Sequence, residues 1–290
     1  MLDDEVIKRL LAKEPEFGEE QARSAGGLSE AVVIRLKTPH REQILKVQPG
    51  TQENDFFTRV APRYFPKVSW LPIIYGSGIH EGFSWLLMEF IPNLWPRERY
   101  NFDPDALAVL AQLHQIEAVQ SSPVWEDHTW SEAQIIAAEK YLPTDTLGQV
   151  TKIREAYLSR RERNSVLCSG DPNAPNWLIR DNGEIVLIDW QMVSIDNRAL
   201  DIAGWMAYSL DYEEIEKLAE IYEERTEKAG SQGKGELALD VFIFYCRRCT
   251  TNFWRAEIST KPELWAAGIK YMKETMPGWL KTNGKVSGLI

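Results

Sequence analysis

Residues 166–190, VLCSGDPNAPNWLIRDNGEIVLIDW, decide how the rest of the chain is read. Two strand-like runs, NWLIRD and EIVLIDW, flank Asn182-Gly183, a dipeptide that marks a tight hairpin. Three polar residues stand where packing alone would not put them. Asp171 follows Ser169-Gly170 and precedes a proline-containing loop. Asn176 lies five positions later, at the mouth of the first strand, and Asp189 ends the second. With Asn182-Gly183 as a two-residue turn, Asp181 pairs with Glu184. Counting outward then sets Asn176 opposite Asp189, where cross-strand neighbours can share one ligand. Phosphoryl transfer needs this set: a carboxylate for the attacking hydroxyl, and an Asn and a second Asp to hold Mg²⁺. Magnesium prefers oxygen ligands and keeps several of its waters, so two protein ligands suffice. Taken singly, Asp171 and Asn176 would also serve as ordinary loop caps.

Outward from this island the chain changes character on its two sides. Upstream, residues 4–13 predict a helix, and Ser24–Ser29 a turn. AVVIRL (31–36) and QILKVQ (43–48) predict strands, and 52–60 a short helix. LPIIYGSGIH (71–80) and FSWLLMEFI (83–91) predict a further strand pair. Beyond Pro92 the apolar spacing turns helical over 106–118, 131–141, 148–160, 213–228, 236–257 and 262–274. The layout predicts an α+β protein. A small β-rich lobe spans 1–91 and a larger, mainly helical lobe 92–290, with a hinge near 89–95 and the hairpin embedded in the helical lobe. There is no internal repeat and no low-complexity segment.

Bulk properties narrow the function classes. The 290 residues carry 43 acidic against 33 basic side chains, a formal net charge of −10. Such a chain does not suit general nucleic-acid binding, which neutralises phosphates with clustered Lys and Arg. Three cysteines, Cys168, Cys246 and Cys249, do not make a disulfide framework. Cys246 and Cys249 form a C-x-x-C inside a helical pattern, without a second pair to complete a zinc site. The N-terminus lacks the basic start and apolar run of a signal peptide, and no run is long enough to span a membrane. The expectation is a cytoplasmic protein with no membrane or nucleic-acid partner.

The segment SGDPNAPNWLIRDNGEIVLIDWQ, followed by RALDIA, resembles the aminoglycoside phosphotransferase and choline kinase superfamily. Members show H-G-D-x-x-x-x-N, then I-D-[WF], then D-[LI]-A. The likeness is close over 166–205, and the lobe layout agrees over nearly the whole chain. It implies a protein-kinase-like, two-lobe fold and an ATP-dependent kinase acting on a small-molecule hydroxyl. By the same resemblance Asp171 is the catalytic base, and Asn176 and Asp189 are the metal ligands. Asp201 would anchor the catalytic loop by hydrogen bonds. His114 resembles the family's L-H helix end, with a packing or capping role. One position departs from the pattern: the family's His before Gly-Asp is Ser169.

A kinase needs a cation for the nucleotide phosphates, and Lys46 sits inside the apolar strand Ile44-Leu45-Lys46-Val47. It resembles the strand lysine that meets the α/β-phosphates; the same residue could also face water on a half-exposed strand. Glu53 is the candidate partner, because Glu53-Asn-Asp-Phe56-Phe57 resembles the family's E-x-x-F-Y helix; Asp55 is the second choice. Ser24, Gly26 and Gly27 offer a loop that could approach phosphates, or an ordinary tight turn. The backbone near Glu89 and Ile91 resembles a hinge strand that meets adenine. The donor is ATP, with GTP open. The stretch 211–227 is acidic and reads as a solvated face or as a recruiter of a cationic acceptor. Trp205, Tyr208, Tyr245 and Trp254 read as core or as acceptor-pocket lining. The other function class is a kinase-like nucleotide-binding module that is catalytically silent.

Overall fold

The computed structural model describes residues 2–14, 17–25, 30–116, 126–163, 165–206, 210–226 and 235–289. Along the chain run α1 (Asp4–Lys13), β1 (Glu19–Ala25), β2 (Val32–Lys37) and β3 (Glu42–Gln48). Then come α2 (Gln52–Asp55), a π-helical turn over Phe56–Val60, and α3 (Ala61–Tyr64). Next are β4 (Ile74–His80), β5 (Phe83–Glu89), β6 (Asn93–Leu94), α4 (Pro104–Leu113), α5 (Glu132–Glu139) and α6 (Thr144–Arg160). The island gives β7 (Ser165–Cys168), a 3-10 turn over Ala174–Asn176, β8 (Trp177–Ile179), β9 (Ile185–Leu187) and β10 (Ser194–Asn197). The chain ends with α7 (Ala199–Trp205), α8 (Tyr212–Glu223), α9 (Glu236–Ile258) and α10 (Ala266–Val286). The described residues form two compact units: those up to 95 together with 175–193, and those within 96–174 and 194–289.

The first unit is built on an antiparallel sheet in the order β1-β2-β3-β5-β4. Strand residues alternate between faces. On β3, Leu45 and Val47 are fully buried with Ile34, Leu36 and Leu87 against Ile7 and Leu10 of α1. That helix starts at Asp3, whose Oδ1 accepts from the amides of Glu5 (3.1 Å) and Val6 (3.0 Å). Lys46, one position out of phase, therefore emerges on the other face of the middle strand. Sequence patterning does not predict β1. EEQARSA is poor in β-branched and aromatic residues, and as an edge strand it leaves its side chains mostly exposed. Ser24, expected in a turn, is a β1 residue paired with Val33. Gly26 and Gly27 lie outside the described residues.

The hairpin β8–β9 joins this unit through β6, in a three-stranded sheet ordered β6-β8-β9. Its turn corrects the sequence-based register. Type I′ turns need positive φ at both central residues. Gly183 has φ +87°, but Asn182 is not among the positive-φ residues. The loop is therefore three residues long, with Arg180 N donating to Glu184 O (2.9 Å) and Gly183 N to Arg180 O (2.9 Å). Trp177 pairs with Leu187 and Ile179 with Ile185. Asn176 thus stands beside Ile188, whose amide donates to its carbonyl at 2.9 Å, and not opposite Asp189. The sequence places the hairpin in the helical lobe, but its packing groups it with the sheet. Arg180 explains much of that: Nε donates to Glu89 Oε2 (3.0 Å), Nη2 to Glu89 Oε1 and to Leu71 O (3.0 Å), and Nη1 to Ser69 O and Glu184 Oε2 (3.1 Å). Both side chains of this pair are largely buried, at 15% and 11% exposed.

The second unit is helical. The 23-residue α9 packs against α5, α6, α7, α8 and α10, and buries Phe242, Phe244 and Phe253. α4 begins at Asp103, whose Oδ1 accepts from the amides of Asp105 and Ala106, and ends at His114. α10 runs on through Pro277, well past the sequence-based limit at 274. The short α7 and β10 escape prediction because neither is long enough to show a period. All three cysteines are buried and free. Burial pushes the Cys249 thiol up to about 11.

β10 pairs with β7 and holds Asp196, a carboxylate only 3% exposed. Burial pushes it up to about 6, against the Asn197 amide at 2.7 Å and the charges of Arg247 and Arg161. The folded protein therefore holds this proton more tightly than the unfolded chain does. The group's stabilising contribution is complete below about pH 4 and is lost as pH rises through about 6. Asp196→Asn should raise unfolding free energy at pH 8 by up to about 3 kcal/mol and leave it unchanged near pH 4. Urea unfolding at both pH values checks this, and an equal gain at both would refute it.

Candidate active site

Candidate residues fall in both units. In the first, Lys46 is 8% exposed in the centre of the sheet, between Val33 of β2 and Leu86 of β5 in register. Its Nζ lies 2.7 Å from Glu53 Oε2 and 2.9 Å from Asp189 Oδ1. A lone buried ammonium would shed its proton. Burial does oppose the charge here, but the Coulombic pull of Glu53 and then Asp189 outweighs it and raises the Lys46 pKa. The structure thus joins Lys46, Glu53 and Asp189. Asp55 instead takes a hydrogen bond from Thr51 Oγ1 and an ion pair from Arg59.

The segment after β9 is built to aim Asp189. This residue has φ +64°, a left-handed conformation uncommon outside glycine. Its neighbour Trp190 fixes it: Trp190 is fully buried, stacks on Phe56 at 4.1 Å between centroids, and donates Nε1–H to Leu187 O at 3.0 Å. The Trp190 amide donates to Glu53 Oε1 at 3.1 Å. Glu53, 1% exposed, therefore receives Lys46 on one oxygen and the Asp189–Trp190 main chain on the other. Backbone strain of this kind collects where function needs a set geometry. The Glu89 side chain has partners of its own, beside the expected backbone role of this strand. Its carboxylate receives Arg180 and the Ile73 amide (2.7 Å), and its own amide donates to Ile73 O at 3.0 Å. Ile91 is buried.

In the second unit, β7 leads into Ser169-Gly170-Asp171. Gly170 has φ +82°, so the chain turns sharply just before Asp171. Asp201, fully buried on α7, accepts from the Ser169 amide on Oδ2 and the Gly170 amide on Oδ1, both at 2.8 Å. His114 Nε2 lies 3.1 Å from Asp201 Oδ2, and its Nδ1 is 2.7 Å from Tyr222 Oη. Burial pushes the Tyr222 phenol upward, so it stays a neutral partner. Ser169 is 1% exposed, and its Oγ has no hydrogen-bond partner among the described residues. Asn173 Nδ2 donates to Asp171 Oδ1 at 2.7 Å. Sequence reasoning passed over Asn173, although D-x-N within a proline-braced loop was a signal.

Trp205 and Tyr245 are buried, and Trp205 Nε1–H donates to Asn101 O at 2.7 Å. Tyr208 lies outside the described residues. On α8, Ile215, Leu218 and Tyr222 face inward, while Glu213, Glu214, Glu216 and Glu220 stay exposed. Asp211 and Glu214 form a reciprocal cap at its start.

A β-sheet unit carrying a buried Lys–Glu pair and a helical unit carrying the Gly-Asp loop define a protein-kinase-like phosphotransferase fold. Residues 21–239, more than half of the chain, match the model of the phosphotransferase enzyme family, and the chain belongs to that family. Among solved structures it is similar to a spectinomycin phosphotransferase crystallised with ADP and spectinomycin, with TM-score 0.66, 12% identity, and coverage of 92% of this chain and 93% of that one. It is also similar to a macrolide 2'-phosphotransferase type I (TM-score 0.63, 16% identity, 93% and 97% coverage). The choline kinase LicA from Streptococcus pneumoniae gives TM-score 0.61 and 12% identity, covering 95% of this chain and all of that one.

Proposed function

We propose that this chain transfers the γ-phosphoryl group of ATP, or of GTP, to a hydroxyl of a small molecule. The observation that carries the reading is the Lys46–Glu53–Asp189 set, a charged lysine held in a buried strand by two carboxylates. Burying the charges of Lys46 and Glu53 without a task is costly; a kinase uses such a lysine to meet nucleotide phosphates. Glu53 holds Lys46 in place, and Lys46 neutralises charge on the α/β-phosphates. Asp189 and Asn176 offer the hard oxygens that suit Mg²⁺. When bound, that ion would supply positive charge that stabilises the transferring phosphoryl group. Asp171 orients the acceptor hydroxyl and takes its proton as the oxygen–phosphorus bond forms.

The likeness to enzymes solved with spectinomycin or described as choline kinase suggests amino-sugar and amino-alcohol acceptors for a first panel. A cationic acceptor remains part of the proposal, although the α8 acidic residues are placed as a solvated face. The test is phosphate transfer from Mg-ATP and Mg-GTP across hydroxylated acceptors, beside thermal shift with the nucleotide. Transfer to at least one acceptor is expected, lost in Asp189→Ala together with the Mg-dependent shift. A shift without transfer to any acceptor would favour the silent-module reading. That alternative rests on the weak glycine loop and on Ser169, where the family pattern has His and where the buried hydroxyl has no partner among the described residues. Absence of any nucleotide-induced shift would overturn both.

A further inference from the structure

We propose that Asn173 is a positioning residue for phosphate transfer, holding the Asp171 carboxylate in the orientation that receives the acceptor's proton. The inference rests on the reading of Asp171 as the base. A carboxylate can only accept hydrogen bonds, so the amide nitrogen of Asn173 must be the atom facing it. The contact is short, 2.7 Å from Nδ2 to Oδ1, and partly buried. A charge-assisted bond of this length is among the stronger kinds a protein makes.

The surrounding loop gives that bond leverage. The chain before Asp171 is pinned by the Ser169 and Gly170 amides on Asp201, both at 2.8 Å. The chain after it is pinned by Pro172, whose ring fixes φ and which is buried against α7. Gly204 makes room for it: a side chain at that position would bring a Cβ within 2.8 Å of Pro172 Cδ. Arg248 Nη1 in turn holds the end of α7 through the carbonyls of Ala203 (3.1 Å), Gly204 (2.7 Å) and Met206 (3.2 Å). With the main chain fixed on both sides, the Asn173 amide restrains rotation of the Asp171 side chain. Alignment of a reacting group at this level is worth orders of magnitude in rate.

Two substitutions separate this role from a structural one. Asn173→Ala should lower kcat roughly 10- to 100-fold with the nucleotide KM within about twofold of wild type. Asn173→Asp keeps the shape but replaces the donor with a second carboxylate beside Asp171, so its kcat should fall below that of Asn173→Ala. A packing role predicts the reverse order, because Asp is nearly isosteric with Asn. Steady-state kinetics of the full-length variants at saturating Mg-ATP reads this order. Asn173→Ala with wild-type kcat, or Asn173→Asp at or above Asn173→Ala, would overturn the inference. Asp171→Asn measured in parallel isolates the underlying assumption. If it retains turnover, the reading of the site fails. If it is inactive while Asn173→Ala behaves as wild type, only the role of Asn173 fails.

Discussion

Asp171→Asn is expected to lower kcat for phosphate transfer by roughly 10²–10⁴-fold while leaving Mg-ATP binding nearly unchanged. The substitution is close to isosteric, and the asparagine carbonyl can still accept from Asn173 Nδ2. Asp201 holds the loop's main chain through the Ser169 and Gly170 amides. Folding and nucleotide affinity should therefore survive. What disappears is the negative charge and the ability to take the acceptor's proton. The measurement is kcat with the best acceptor from the panel, beside a nucleotide titration of the same preparation. A variant turning over at near wild-type rate would remove Asp171 from the chemistry.

Lys46→Ala should act on stability and on nucleotide binding together. The variant leaves Glu53, 1% exposed, without its cation, and Asp189 with one contact fewer. Removing one partner of a buried ion pair costs about 3–5 kcal/mol. A wild-type-like unfolding curve would show that the pair bears little weight. Adding Glu53→Gln to Lys46→Ala should restore part of the lost stability, because it removes the stranded charge. It should not restore Mg-ATP binding, because the group proposed to meet the phosphates is still missing. Recovery of both in the double variant would mean that Lys46 serves the fold and not the nucleotide.

Much of this site could be read from one local segment because turn chemistry and short spacing are local properties. Asn182-Gly183 announces a hairpin whatever surrounds it, and Asp171, Asn176 and Asp189 are visible at its edges. The register was misjudged by one residue, since the dipeptide is compatible with both two- and three-residue loops. The sign of φ at Asn182 decides between them, and that is a property of the folded chain. β1 stayed hidden for another reason. Its pairing with β2 comes from backbone hydrogen bonds at a sheet edge, and its side chains EEQARSA carry no trace of it. The meeting of Lys46 with Asp189 joins β3 to the end of β9, far outside any local window. The resemblance supplied Glu53 as the lysine's partner. No pattern announced that its second oxygen would hold the Trp190 amide.

The Arg180–Glu89 pair has an evolutionary corollary. Its members stand 91 positions apart, yet each is the other's main charge partner in a largely buried setting. A lineage that lost one alone would strand a charge and loosen the strand that leads to Asn182-Gly183. Descendants should therefore keep both or exchange both, in a single compensated step. Across relatives of this chain the two positions should be inherited as one character, a covariation that aligned sequences can confirm or deny without any biochemistry.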